Sequence, residues 1–119
     1  MAVSEAFVEY VRDQLRPWSG GIAARRMFSG AGLFRDGIMF GLVHDDTLYF
    51  RTDTRNVADF VAAGMTPFSY SRGGRQVALG YHQVPVDILD EADRLAPWAA
   101  AAYAAALRRN TPRPRRQRR

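Results

Sequence analysis

Few residues in this chain are equipped for chemistry. His44 stands beside Asp45 and Asp46, and His82 lies late in an alternating run, Gln76 to Gln83. A His-Asp-Asp cluster offers ligands to a divalent metal. The competing reading is a turn: adjacent residues of a strand face opposite ways, and paired aspartates suit a tight reversal. Ser29, Ser69 and Ser71 are candidate nucleophiles, yet none sits in a Gly-x-Ser-x-Gly elbow and no base is evidently paired with them. Carboxylates fall at caps, turns and helix faces, and no pair is set apart for acid–base work. The expectation is a protein that is not an enzyme, with no catalytic residue, cofactor or metal. A small enzyme or ligand binder built around His44, His82 and Tyr81 is the alternative.

The stretch RRMFSGAGLFRDGIMFGLV, residues 25–43, raises the question of a phosphate-binding loop. A dinucleotide loop needs Gly-x-Gly-x-x-Gly between a strand and a helix, so that helix amides meet the pyrophosphate. Here Gly30-Ala31-Gly32 leads into Leu33-Phe34 and then a charged turn. A Walker-type loop needs a lysine, and the chain has none. The glycines are therefore read as turns or bulges that redirect the chain. Met27, Met39 and Met65 among many aromatics are read as core, where methionine fills irregular gaps, or as part of an exposed sheet face open to a partner or a second copy.

Elements follow from spacing. Ser4 caps a helix over 4–15, with Phe7, Val8, Val11 and Leu15 on one face, and Pro17 ends it. Met27-Phe28 and Leu33-Phe34 read as short strands flanking a turn or bulge at Ser29 to Gly32. Ile38 to His44 and Thr47 to Thr52 are longer strands, joined to their neighbours by Asp36-Gly37 and Asp45-Asp46. Residues 38–44 are apolar on both faces. Such a strand is covered on both sides, or by helices on one side and a partner chain on the other. Asp53 caps a second helix carrying Val57, Phe60 and Val61 on one face, stopped by Gly64. Pro67 to Ser71 and Gln76 to Gln83 form another hairpin around Arg72-Gly73-Gly74-Arg75. Asp87 or Asp90 caps a last helix to Arg109, which either kinks at Pro97 or starts its regular part there. The order is helix, four strands, helix, two strands, helix: an α+β fold with one antiparallel sheet and helices packed on it.

The chain has 119 residues, enough for one domain with a real core. It has no cysteine, which excludes disulfides and thiolate metal sites. Charges at Glu5, Glu9, Arg12 and Asp13 interrupt any apolar signal-peptide core, and the longest apolar run is too short for a bilayer, so a cytoplasmic location is expected.

The formal charge of +5 is unevenly spread. All 17 basic residues are arginine, and seven of them, Arg108, Arg109, Arg113, Arg115, Arg116, Arg118 and Arg119, lie in the last 12 positions with no acid among them. Residues 1–107 carry ten arginines against twelve acids, a net charge of −2. We read residues 1–109 as the folded domain and 110–119 as a disordered tail. Arginine presents a planar fork to phosphate at any working pH, so these seven are the candidate nucleic-acid contacts. They would act with little sequence selectivity, with a salt slope of at most about −6 on duplex DNA. A solubilising tail, or one drawn to acidic protein or membrane surfaces, is the alternative.

The segment 25–43, followed by DDTLYFRTD, resembles the N-terminal domain of the TfoX/Sxy competence regulators. The positions that carry the likeness are Arg26, Met27, Phe28, Gly30, Gly32, Asp36, Gly37, Met39, Phe40, Asp46, Leu48 and Tyr49. Phe60, Gly64, Pro67, Phe68 and Tyr70 follow, and then Tyr81, Val84 and Pro85. Ser29 departs from the pattern, where glycine is usual. The likeness spans about residues 4–107. It implies an α+β fold similar to secretion chaperones, which often pair as dimers, and a regulatory role in bacterial transcription as a co-activator and not an enzyme. Full-length regulators also carry a second, helical domain. This sequence matches the first domain and ends in the arginine tail.

Overall fold

The computed structural model describes residues 4–27 and 30–110, with the backbone alone at Tyr70 and Val77. Ser4 accepts the Phe7 amide at 3.1 Å and opens helix α1, Glu5–Leu15, which buries Val8, Val11 and Leu15. Six strands follow in antiparallel pairing: β1 Ala23–Met27, β2 Gly30–Arg35, β3 Ile38–His44, β4 Thr47–Arg51, β5 Pro67–Arg72 and β6 Arg75–Gln83. The sheet order is β1-β2-β3-β4-β6-β5. Helix α2, Val57–Ala62, lies between β4 and β5, and a short α3, Val86–Leu89, precedes the long α4, Ala92–Asn110.

Hairpin turns fall where the residue types demand them. Asp36 and Gly37, Asp45 and Asp46, and Gly73 and Gly74 all take positive φ, from 51° to 81°. That is the backbone a two-residue hairpin loop requires. Gly64, at φ 77°, ends α2 as expected.

Several local expectations are corrected. Gly30-Ala31-Gly32 is not a turn: it lies inside β2, paired to β1 on one side and β3 on the other. The first strand begins at Ala23, so Arg25 and Arg26 lie within it rather than before it. The part of that expectation resting on Phe28 and Ser29 lies outside the described residues. Asp53 does not cap α2. Its carboxylate accepts the Arg55 amide in a preceding turn, and the helix starts at Val57 after Asn56. Val61 is exposed, because one short helix buries only Phe60. Neither Asp87 nor Asp90 caps α4, since α3 takes both. The Glu91 carbonyl accepts the Leu95 amide instead. α4 continues through Pro97. The expected tail lies outside the described residues from position 111 onward.

All four helices pack on one face of the sheet. Phe40, Phe50, Phe60, Leu33, Leu48 and Leu95 are fully buried there with Val11 and Leu15. Each such side chain contributes about 1.5–3 kcal/mol by leaving water. Trp18 completes this layer, 5.2 Å from Phe40 and 5.9 Å from Tyr103, and Arg35 stacks 4.8 Å from both its ring and the Tyr103 ring.

Candidate interaction surface

The other face of the sheet carries a second apolar cluster made only of strand residues. Leu42, Phe68 and Tyr81 are buried in it, and Met39, Tyr49 and Leu79 pack around them. No helix residue among those described contributes.

A bulge in β3 explains how one strand serves both faces. Leu33 pairs with Gly41 and Phe34 with Met39, so Phe40 is the extra residue. Phe40 packs in the helix-covered core, and a side chain on Gly41 would project toward Phe50 and Leu33 of the same core. Two consecutive positions thus face the helices. Beyond the bulge, Leu42 and His44 turn to the open side, while Val43 stays in the core. In β6 the pairing with β5 slips between Pro67 and Ser69, beside Gly80 at φ 78°, but Leu79 and Tyr81 both stay in the open-side cluster, two residues apart as plain alternation gives.

Two arginines decorate this face, each on a ring. Arg25 lies 5.1 Å from the Phe34 centroid, and Arg51 lies 5.0 Å from that of Tyr81. Arg51 also donates to the Leu79 carbonyl at 3.0 Å, and its Nε is buried without a partner. Burial raises the Tyr81 phenol, and the Arg51 guanidinium opposes that rise. Burial likewise raises Tyr49, with the Asp45 charge adding to it. Phe68 meets Tyr49 at 4.9 Å and His44 at 5.4 Å, both edge-on.

Charge is segregated by layer. The six strands hold six arginines and not one aspartate or glutamate, whereas all twelve acids lie in helices, turns and connections. Arg26 and Arg35 turn to the helix side, toward Glu5 and toward Trp18 and Tyr103, so the cationic character of the apolar, aromatic open face comes from Arg25 and Arg51.

The sequence-derived chemical candidates do not converge. His44 is on the open face. His82 points the other way, with Nδ1 3.0 Å from Thr52 Oγ1 and its ring 5.8 Å from Phe60. Burial lowers the His82 pKa. Tyr81 faces away from His82, so the pocket expected from His44, His82 and Tyr81 is not assembled. Asp45 and Asp46 form the β3–β4 turn. Among the described residues, no three His, Asp or Glu side chains gather as a metal site. Ser69 and Ser71 bond Gln76 at the surface. The three methionines are divided: Met65 packs on the main core, while Met27 and Met39 flank Gly32 on the open side. A dimple over Gly30, between Met27, Leu42, His44 and Phe68, holds only ≈ 10 Å³, far below the ~300 Å³ at which small-molecule sites begin.

Of the tail arginines, Arg108 and Arg109 belong to α4. Arg108 grips Asp53 with two bonds, Nε to Oδ2 at 2.6 Å and Nη2 to Oδ1 at 3.0 Å. This holds the Asp53 carboxyl below its usual range. Arg109 is exposed at the helix end. Arg113, Arg115, Arg116, Arg118 and Arg119 lie outside the described residues. Sequence reasoning anticipated a second apolar sheet face from residues 38–44 and Met39, but it did not identify Phe34, Phe68 or the two flanking arginines as its members.

A family model described as the TfoX N-terminal domain matches residues 13–106, which takes in the whole sheet, α2, α3, the last turn of α1 and most of α4. No curated protein matches the chain.

Proposed function

The chain belongs to the TfoX N-terminal domain family, and from that premise we propose that it is a non-enzymatic regulatory adaptor, a transcriptional co-regulator of the bacterial cytoplasm. The observation that carries this reading is the helix-free sheet face, where half-buried Met39 and Tyr49 surround buried Leu42 and Phe68 and Arg25 and Arg51 flank them. Its occupant is a partner protein segment with apolar side chains set among carboxylates, since like charges are rejected and opposite ones matched there. The arginine tail adds weak nucleic-acid contact of little sequence preference.

The test places a photo-crosslinking amino acid at Met39, on the open face, or at the exposed Val61 of α2, in the full chain and in its native cell. Protein adducts from position 39 alone, surviving nuclease, support the adaptor reading. Adducts to nucleic acid alone would favour an independent nucleic-acid-binding protein. A crosslinked homodimer would place a second copy on the face instead.

A further inference from the structure

A second groove lies where α1, the start of β4 and the β6–α3 junction meet. Phe7, Leu48 and Leu89 line its floor, and Tyr10 and Val86 stand at its walls. Those two are among only four large hydrophobic side chains exposed among the described residues, the others being Val61 and Leu107. The groove holds ≈ 240 Å³, below the ~300–1,000 Å³ of a small-molecule pocket and suited to one or two side chains.

Asp46 and Asp90 border it. Asp46 Oδ1 accepts the Ser4 amide at 3.0 Å, and Asp90 Oδ1 accepts the Tyr10 hydroxyl at 2.5 Å. Among the described residues no arginine pairs with either, whereas neighbouring Asp87 and Glu91 share Arg94 at 3.7 and 3.9 Å. Each of the two carboxylates uses one oxygen within the fold, so its charge is uncompensated beside an apolar floor.

We propose that this groove docks a cationic peptide segment of a partner protein, one that sets an apolar side chain between arginines or lysines. The apolar anchor fills the floor, and the flanking cations meet Asp46 and Asp90. An acidic segment or a nucleic acid would place like charge against both carboxylates. The groove is separate from the open sheet face, so the proposal stands whether or not that face binds a partner. The chain's own residues 111–119, TPRPRRQRR, are a poor occupant, because they carry arginines but no large apolar side chain to fill the floor.

The experiment titrates the full chain into three labelled nonapeptides, GRARLRARG, GRARSRARG and GEAELEAEG, followed by fluorescence anisotropy. The first should bind saturably. Loss of its leucine should weaken binding about tenfold, the worth of one buried aliphatic side chain. Asp46→Asn with Asp90→Asn should weaken the first peptide at least about tenfold, as removal of two facing charges predicts. Asparagine tolerates the φ of 52° at position 46, and either amide oxygen can still accept the Ser4 or Tyr10 bond. Val86→Ser, at a side chain 62% exposed, tests the apolar wall without opening the core. Unfolding midpoints of the variants confirm that the fold persists. Equal binding of the acidic peptide, indifference to both sets of substitutions, or no binding at all would overturn the proposal. So would concentration-dependent assembly of the chain that the Asn pair abolishes, since a second copy's tail would then be the occupant.

Discussion

Gly30 and the carbonyl of Val43 approach so closely that a Cβ at position 30 would lie 2.1 Å from that oxygen. The glycine here serves neither a turn nor a phosphate. It lets β2 lie against β3 beside His44, at the end where Met27, Leu42 and Phe68 close over the sheet. Gly30→Ala should therefore destabilise the protein by about 3 kcal/mol, the upper range for overpacking. Gly20→Ala, with nothing within 4 Å of its Cβ, should stay within about 0.5 kcal/mol. Urea unfolding of both variants checks this, and equal midpoints would refute the close-approach argument.

His82 should make stability depend on pH. Burial lowers its folded pKa, while Thr52 and Phe60 are its neighbours. The unfolded chain then takes up a proton, at about pH 6.5 and below, that the folded chain resists. The resulting stability is fully present above that value and is lost as pH falls through the lower folded pKa. The urea midpoint should drop between about pH 7.5 and 5.5, and His82→Gln should show a smaller drop. An identical drop in the variant would remove His82 as its source.

Arg108 ties the end of α4 to the connection before α2. The pair is bidentate but partly solvated, with side chains 37% and 29% exposed, so Arg108→Ala should cost no more than about 1 kcal/mol near neutral pH. Asp53 has a lowered folded pKa, so its share of stability is present above the usual aspartate value and disappears as acid titrates the folded carboxyl. The difference between wild type and Arg108→Ala should accordingly shrink below about pH 4. A difference that persists at lower pH would argue against this ion pair as the cause.

Arg108 is also withdrawn from the nucleic-acid inventory by that contact. Six of the seven C-terminal arginines remain, which puts the limiting salt slope on duplex DNA near −5. Gel-shift titrations of the full chain at several salt concentrations, compared with a chain ending at Asn110, measure it. Undiminished binding after truncation would show that the tail is not the contact.

Much of the fold was legible because hairpin turns are local. Asp36-Gly37 and Gly73-Gly74 declare positive φ by residue type, and the strands Ile38–His44 and Arg75–Gln83 follow from them. β1 was not legible in the same way. Its sequence AARRM lacks apolar alternation, and it is a strand because β2 offers it an edge. Gly30-Ala31-Gly32 misled for the opposite reason: glycine signals a turn by freedom of φ, whereas here it is used for its missing side chain.

The amino-acid sequence alone determined the α+β class, the family likeness, the turns, and the concentration of arginine at the end of the chain. Those depend on neighbouring residues and on composition. The tertiary structure decided which way each side chain faces. One extra residue at Phe40 shifts the phase of β3, so alternation counted along that strand cannot assign its faces, whereas Leu79, Tyr81 and His82 keep the alternation of β6. It also parted His44 from His82 and joined Asp53 to Arg108 across the fold. Each of these is a contact between segments far apart in the chain, fixed by strand pairing and helix packing and not by local preference.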